Sequence, residues 1–345
     1  MSPASVLQGG TQRRRNARRT PRGRGRPPRR PRARAVLLVL LMAAGVVLLI
    51  AHGLDGGSSK KSGARTPRAP VRPFAPVRPE PVRPAYATLP AAPAERVPLR
   101  FKHPPRSALL WDVRTGRVLF ARRPDRVLPI ASLTKMMTAI LVVDRQPPSA
   151  RVLVTREALA YKGSGVGILP RGRRIRLETM LYGLLLPSGN DAAIALAQRV
   201  GGTVPRFVRL MNARGQRLGL RCTHFTSVDG FDDRGTSCAT DLALLTREFM
   251  SRRRLARIVR KRRASLPFVG KIKRLDLFNN NPLIRSGFPG TTGVKTGYTD
   301  KAGHCLVATV RRGGTTLGVV LLHSPDTGDQ ASRMFKTAFR RLQRA

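Results

Sequence analysis

Apolar positions recur with two different periods along residues 101–345, and the changes of period mark out the elements. Ser107-Ala108-Leu109-Leu110-Trp111-Asp112-Val113 and Arg117-Val118-Leu119-Phe120-Ala121 flank the turn signal Arg114-Thr115-Gly116 and predict a β-hairpin. Helical spacing then takes over at 132–144, 176–186, 192–200, 204–218 and 239–262. Extended patterns return at 294–298, 305–310 and 316–322, with Arg311-Arg312-Gly313-Gly314 as one turn, and a final helical pattern covers 330–344. Strands at both ends and helices between them predict an α+β fold, an αβα sandwich. Its antiparallel sheet of about five strands is assembled from both ends of the segment, with helices on its faces and an inserted helical lobe.

The first hundred residues follow neither period. Residues 1–34 hold twelve arginines, no acid and several Pro and Gly, and read as a disordered tail. Ala35–Ala51 is uninterrupted by charge and at the lower length limit for crossing a bilayer. With the arginines before it and the single acid Asp55 after it, this run predicts a membrane anchor over 35–54, its N-terminus cytoplasmic and the remainder outside. A cleaved secretory signal would share the basic and apolar regions. Ala51-His52-Gly53 is a poor cleavage site, and either reading exports the remainder of the chain. Residues 55–100 pass through Val71-Arg72-Pro73, Val77-Arg78-Pro79 and Val82-Arg83-Pro84, a semi-extended proline-rich linker before an extracytoplasmic domain at 101–345.

Charge modifies this picture. The chain carries a formal +48, and 45 of its 66 basic residues against 15 of its 18 acidic ones fall in 101–345. Such a balance invites a nucleic-acid reading, but export argues against it and an aromatic content of 5% leaves no stacking platform for bases. The densest run, Arg252-Arg253-Arg254-Leu255-Ala256-Arg257-Ile258-Val259-Arg260-Lys261-Arg262-Arg263, reads first as a solvated helix face. Its functional alternative is attraction to anionic envelope polymers or lipid headgroups.

Three short stretches carry candidate chemistry. In Ser132-Leu133-Thr134-Lys135 a helix starting at the serine would place the lysine amine one turn later on the same face, within reach of the hydroxyl. A serine needs such a base to become a nucleophile, and a lysine becomes one when burial or nearby positive charge lowers its pKa. Ser188-Gly189-Asn190 lies between two helical patterns, where Asn190 or Asp191 would also serve as a helix cap. Lys295-Thr296-Gly297 lies on a strand whose glycine would let a ligand backbone approach closely. Each stretch alone is commonplace. In order, with Ser188 following Ser132 by 56 positions and Lys295 following Asn190 by 105, they form the triple of serine penicillin-recognising enzymes.

From about Ser107 to Leu342 the chain resembles the low-molecular-mass D-alanyl-D-alanine carboxypeptidases. Leu169-Pro170-Arg171-Gly172, Phe207-Val208-Arg209-Leu210-Met211-Asn212, Asn281-Pro282-Leu283 and Ala302-Gly303-His304-Cys305-Leu306-Val307 extend the likeness beyond the triple. The resemblance implies a β-lactamase/transpeptidase-like fold and an acyl-enzyme on Ser132, with Lys135 as base. It places Ser188 and Asn190 across the cleft, the serine relaying a proton and the amide holding the acyl chain. Lys295 would lower the pKa of Lys135 and, with Thr296, attract a terminal carboxylate. The Ser132 and Tyr298 backbone N–H groups would form the oxyanion hole beside Gly297. Substrates would be peptidoglycan stem peptides ending in D-Ala-D-Ala, with β-lactams as inhibitors and no cofactor or metal.

Competing chemistries differ in what they ask of these residues. A D,D-endopeptidase would share the triple, a noncatalytic wall-binding or β-lactam-sensing module would not need it intact, and a β-lactamase would need a deacylating acid on an omega-type loop. Val294 separates Gly293 from Lys295, so no Walker A loop is present, and Gly163-Ser164-Gly165-Val166-Gly167 lacks a dinucleotide spacing. Histidines 52, 103, 224, 304 and 323 form no metal-ligand pair. In an exported protein Cys222 and Cys238 can close a short disulfide loop while Cys305 stays a buried thiol. The segment 228–239 departs from the family's wording, with Thr236 and Cys238 where His and Ser are common.

Overall fold

The computed structural model describes residues 89–90 and 96–344. The expected tail, the anchor over 35–54 and nearly all of the linker lie outside these residues. Among the described residues no helix is long and apolar enough to cross a membrane.

In chain order the strands are β1 (Leu89–Pro90), β2 (Ser107–Asp112), β3 (Arg117–Arg122), β4 (Leu128–Pro129), β5 (Arg151–Leu153), β6 (Arg174–Arg176), β7 (Thr236–Ser237), β8 (Arg263–Pro267), β9 (Arg274–Phe278), β10 (Thr291–Thr299), β11 (Gly303–Arg312) and β12 (Thr315–Ser324). The α-helices are α1 (Lys135–Arg145), α2 (Arg156–Leu159), α3 (Leu177–Leu185), α4 (Asn190–Gly201), α5 (Val204–Arg217), α6 (Ala239–Met250), α7 (Arg253–Val259), α8 (Pro282–Arg285) and α9 (Thr327–Leu342). The central sheet runs β1-β3-β2-β12-β11-β10. Its five long strands are antiparallel, as the pattern predicts, and the two-residue β1 lies parallel to β3 at the edge. β2 pairs with β12, Leu110 opposite Val319, so the two ends of the domain meet in the middle of the sheet.

Successive side chains of a strand point to opposite faces, and both faces are covered. Leu110, Leu306, Ala308, Val319 and Leu321 pack with Ala331, Met334, Phe335 and Ala338 of α9. Leu109, Trp111, Val307, Val320 and Leu322 belong to the larger core, which takes in Met136 and Ile140 of α1 and Leu242, Leu245 and Phe249 of α6. A strand apolar on both faces shows no alternation, which is why 107–111 reads as a continuous apolar run. The final helix begins earlier than its apolar spacing predicts, because Asp326 caps it by accepting from the Asp329 backbone N–H at 2.9 Å.

Two expectations change. The helix expected over 239–262 is broken into α6 and α7 at Ser251-Arg252. Arg252 adopts an extended conformation and donates to both carboxylate oxygens of Asp144 at 2.7 Å, a bidentate pairing that helical spacing cannot foresee. Residues 263–278, hidden by the arginine run before them, form the β8–β9 hairpin, with Arg263 opposite Phe278 and Pro267 opposite Arg274.

Cys222 and Cys238 are joined as a disulfide, 16 residues apart, with Cys238 immediately before α6. Cys305 is buried in β11, and burial pushes its thiol pKa up to about 12, so it stays an unreactive SH. Within the disulfide loop Thr236 pairs with Pro129 and Ser237 with Leu128, so β7 is fastened to β4 three residues ahead of Ser132. The unusual Cys238 thus has a partner, and Thr236 contributes through its backbone. Closing a loop of this length is worth about 3 kcal/mol in the chain-entropy account. Cys222→Ser with Cys238→Ser is therefore expected to lower unfolding free energy by roughly 2–4 kcal/mol in denaturant titrations, while Cys305→Ser leaves the disulfide contribution unchanged.

Candidate active site

Ser132 lies in a 3-10 turn, Ala131–Thr134, that runs directly into α1 at Lys135. Side chains three apart eclipse in such a turn, so hydroxyl and amine face each other more closely than an α-helical start would allow. Lys135 Nζ donates to Ser132 Oγ at 2.8 Å, to Asn190 Oδ1 at 2.6 Å and to the Asp229 backbone carbonyl at 2.7 Å. Carbonyl oxygens can only accept. When Lys135 is neutral, its two remaining N–H bonds are held by Asn190 and Asp229, and its lone pair is left facing the one partner with a proton to give, Ser132.

Lys135 has no exposed surface. Burial, which penalises the charged ammonium, lowers its pKa to about 8, and the carboxylates of Asp229 and Asp191 act in the opposite direction. Lys295 on β10 is also buried, and its Nζ donates to the Thr296 carbonyl at 2.8 Å. Its pKa lies well below the ordinary lysine value, first through burial and second through the charge on Lys135. Burial is the first cause of both depressions, and repulsion between the two amines disfavours the state in which both carry a proton.

Ser188 and Asn190 come from the junction of α3 and α4. Ser188 has a left-handed backbone, φ 72°, a strained conformation for a residue with a Cβ. Its hydroxyl is buried and has no hydrogen-bond partner. Asn190 opens α4, and its Nδ2 donates to the Lys162 carbonyl at 2.5 Å while Oδ1 receives Lys135. Next to it the fully buried Asp191 accepts from the Val166, Gly167 and Ala192 backbone N–H groups. The glycine-rich 163–167 stretch is thus a cleft loop held to the start of α4.

Strand β10 lies against the Ser132 turn. A Cβ on Gly297 would sit 3.0 Å from the Ser132 backbone nitrogen and 3.0 Å from the Ile130 carbonyl oxygen, so only glycine permits this approach. Thr296 precedes it, and Tyr298 follows with its ring exposed and 4.6 Å from that of His304. Ser132, Lys135, Ser188, Asn190, Lys295, Thr296, Gly297 and Tyr298 all fall on the 3-10 turn and α1, the α3–α4 junction and β10.

Sequence reasoning missed Asp229 and Gly230. Gly230 has φ 79°, and a Cβ there would lie 1.9 Å from the Ala131 carbonyl oxygen and 2.8 Å from Thr134 Oγ1. The loop therefore presses on the turn that carries Ser132, and the neighbouring Val228 carbonyl receives Thr138 Oγ1 at 2.6 Å. The unusual wording of 228–239 was the available signal, but it does not say that a backbone carbonyl is the functional atom. The one grouping of candidate metal-ligand atoms among the described residues, Asp125 with Cys222 and Cys238, has both sulfurs in the disulfide.

Fold and site together define a serine–lysine acyl-transfer architecture. The D-alanyl-D-alanine carboxypeptidase family model matches residues 93–326. The carboxypeptidase DacF of Bacillus subtilis is 31% identical over 69% of this chain, and the chain spans 62% of that relative's length. A D-alanyl-D-alanine endopeptidase of Pseudomonas aeruginosa is 34% identical over 66% of the chain and 74% of its own length. The Streptomyces K15 DD-transpeptidase structure superposes with a TM-score of 0.66 at 28% identity, covering 70% of this chain and all of that one. The chain belongs to the D-alanyl-D-alanine carboxypeptidase family.

Two outcomes test the site. With Lys135 titrating near pH 8 and only its neutral form able to take a proton, acylation by a penicillin should rise about tenfold between pH 7 and 9. Because the Asp229 charge holds that pKa up, Asp229→Asn should move the midpoint to lower pH, and an unmoved midpoint would separate Asp229 from Lys135 titration. Gly230→Ala combines positive φ with a backbone clash and should cost about 2 kcal/mol or more in a melting experiment, with acylation lost; near-native labelling would mean the loop does not brace Ser132.

Proposed function

We propose that this chain is a serine D,D-carboxypeptidase that removes the terminal D-alanine from peptidoglycan stem peptides and is acylated by β-lactams. The observation that carries the reading is the three-acceptor cage around Lys135, which leaves a neutral amine with its lone pair on Ser132 Oγ.

In this mechanism Ser132 Oγ attacks the carbonyl carbon between the two D-alanines as its proton passes to Lys135 Nζ. The oxyanion is met by the Ser132 and Tyr298 backbone N–H groups. Lys135 returns the proton to the leaving nitrogen through Ser188, whose partnerless hydroxyl is the group free to relay it. Free D-alanine departs, water attacks the ester carbonyl as Lys135 takes its proton, and Lys135 returns that proton to Ser132 Oγ as the ester C–O bond breaks and the shortened peptide leaves. Lys295 and Thr296 receive the terminal carboxylate. That anion favours the ammonium form of Lys295 against the burial that depresses it, and Asn190 lies beside the acyl chain.

The uncharged run Ala35–Ala51, preceded by the twelve arginines, supports a cell-membrane anchor with the catalytic domain extracytoplasmic. The endopeptidase name of the P. aeruginosa relative supports a second reading, cleavage of a cross-link by the same chemistry.

The full-length chain, incubated with a labelled penicillin and separately with an acyl-D-Ala-D-Ala peptide, should become covalently labelled and release D-alanine. Ser132→Ala should abolish both, and Ser188→Ala should keep the fold while slowing turnover about 100-fold or more. Labelling without D-alanine release would favour a sensor, release only from cross-linked dimers would favour the endopeptidase, and no labelling of folded wild type would sink the assignment.

A further inference from the structure

We infer that the α7–β8 turn and the β8–β9 hairpin form a basic rail that draws polymeric, carboxylate-bearing peptidoglycan to the cleft. The inference rests on the carboxypeptidase reading and concerns which form of the substrate is favoured.

The arginine run of 252–263 is divided by the fold into two sets. Arg252 is held by Asp144 and Glu248, Arg254 by Glu178 at 2.7 Å, and Arg257 lies 3.8 Å from the same Glu178. Arg260, Lys261 and Arg262 are exposed, and none of them has an acidic partner among the described residues. At the far end of the hairpin Lys271 and Lys273 are exposed in the same way. The single acid on the outer face, Asp276, is paired with Arg263 at 3.1 Å. The result is a set of uncompensated cations at both ends of an element whose one acid is already paired.

The rail starts at the cleft. Asn279 donates to the Lys261 carbonyl at 2.9 Å, and its backbone N–H to that of Arg262 at 3.0 Å. Asn280 then donates to the Leu186 carbonyl and, through its side chain, to the Pro187 carbonyl at 3.1 Å, directly before Ser188. From this edge the five-residue strands carry the charge outward by roughly 17 Å. That exceeds the screening length of about 8–10 Å at ordinary salt, so a molecule meeting both ends must itself be extended and multiply charged.

Peptidoglycan has the matching chemistry, since every uncrosslinked stem ends in a carboxylate and the glycan repeats the stems. One stem in the cleft leaves its neighbours' carboxylates to meet the rail. An anionic bilayer is the competing polyanion. For insertion the hairpin offers only Ile272 at its tip and, at its base, Phe278, with the Arg263 guanidinium 5.6 Å from its ring. Contiguity with Ser188 favours the substrate.

The test compares the full-length chain with Lys261→Gln/Arg262→Gln/Lys271→Gln/Lys273→Gln on a soluble acyl-D-Ala-D-Ala peptide and on insoluble peptidoglycan, at low and high salt. The variant should keep the soluble rate within about twofold, which also shows that it is folded, and release D-alanine from the polymer about five- to tenfold more slowly at low salt. The salt sensitivity of wild type on the polymer should flatten. Equal rates on the polymer, or equal losses on both substrates, would overturn the inference. So would lost co-sedimentation with anionic vesicles alongside undiminished polymer hydrolysis. A wild type active on the soluble peptide but indifferent to these charges removes the rail alone, whereas a wild type releasing D-alanine from neither substrate removes the carboxypeptidase reading and the rail with it.

Discussion

Placing a lysine amine in the interior is the constraint around which this domain is built. An ammonium taken out of water must be neutralised or surrounded by acceptors. Lys135 has both solutions at once, a pKa lowered to about 8 and three oxygen partners. Those partners come from three distant parts of the chain, the 3-10 turn, the start of α4 and the 228–239 loop. Each must arrive in register for the amine to be tolerated at all. The same requirement suits it to the proposed role of base, because the two carbonyl acceptors leave its lone pair to Ser132.

The surrounding structure serves that arrangement. The central sheet brings β10 against the Ser132 turn, where Gly297 allows contact at backbone distance. The loop that supplies the Asp229 carbonyl is fastened at its ends by the disulfide, to β4 by β7, and to α1 through Thr138. Asp191 holds the 163–167 loop and so fixes the wall beside Asn190. Against this network Ser188 stands out, a buried hydroxyl left unpaired on a strained backbone. Unsatisfied polar groups of that kind are costly in a folded chain, and a substrate is the partner that would complete it.

Surface charge follows a separate logic. Arginines facing acids, such as Arg252 and Arg254, shape the fold by ending one helix and steadying the next. The exposed cations at the base and tip of the hairpin, Arg260, Lys261, Arg262, Lys271 and Lys273, have no acid to face, and the proposed rail gives them a role in encounter.

Much of this was legible from residue order alone. Apolar periods located all five long strands of the sheet and most of the helices, because burial on one face or two leaves a local trace. The ordered Ser132-Lys135, Ser188-Asn190 and Lys295-Gly297 stretches named the chemistry, since side-chain identity is local. The Asp229 carbonyl, the contacts of Gly230 and the break at Arg252 were not legible, because every residue has a carbonyl and only packing determines which one meets an amine. Tertiary structure alone decided that Lys135 and Lys295 are both buried and both depressed. Burial and the repulsion between two amines are properties of three-dimensional neighbours, and no spacing along the chain encodes them.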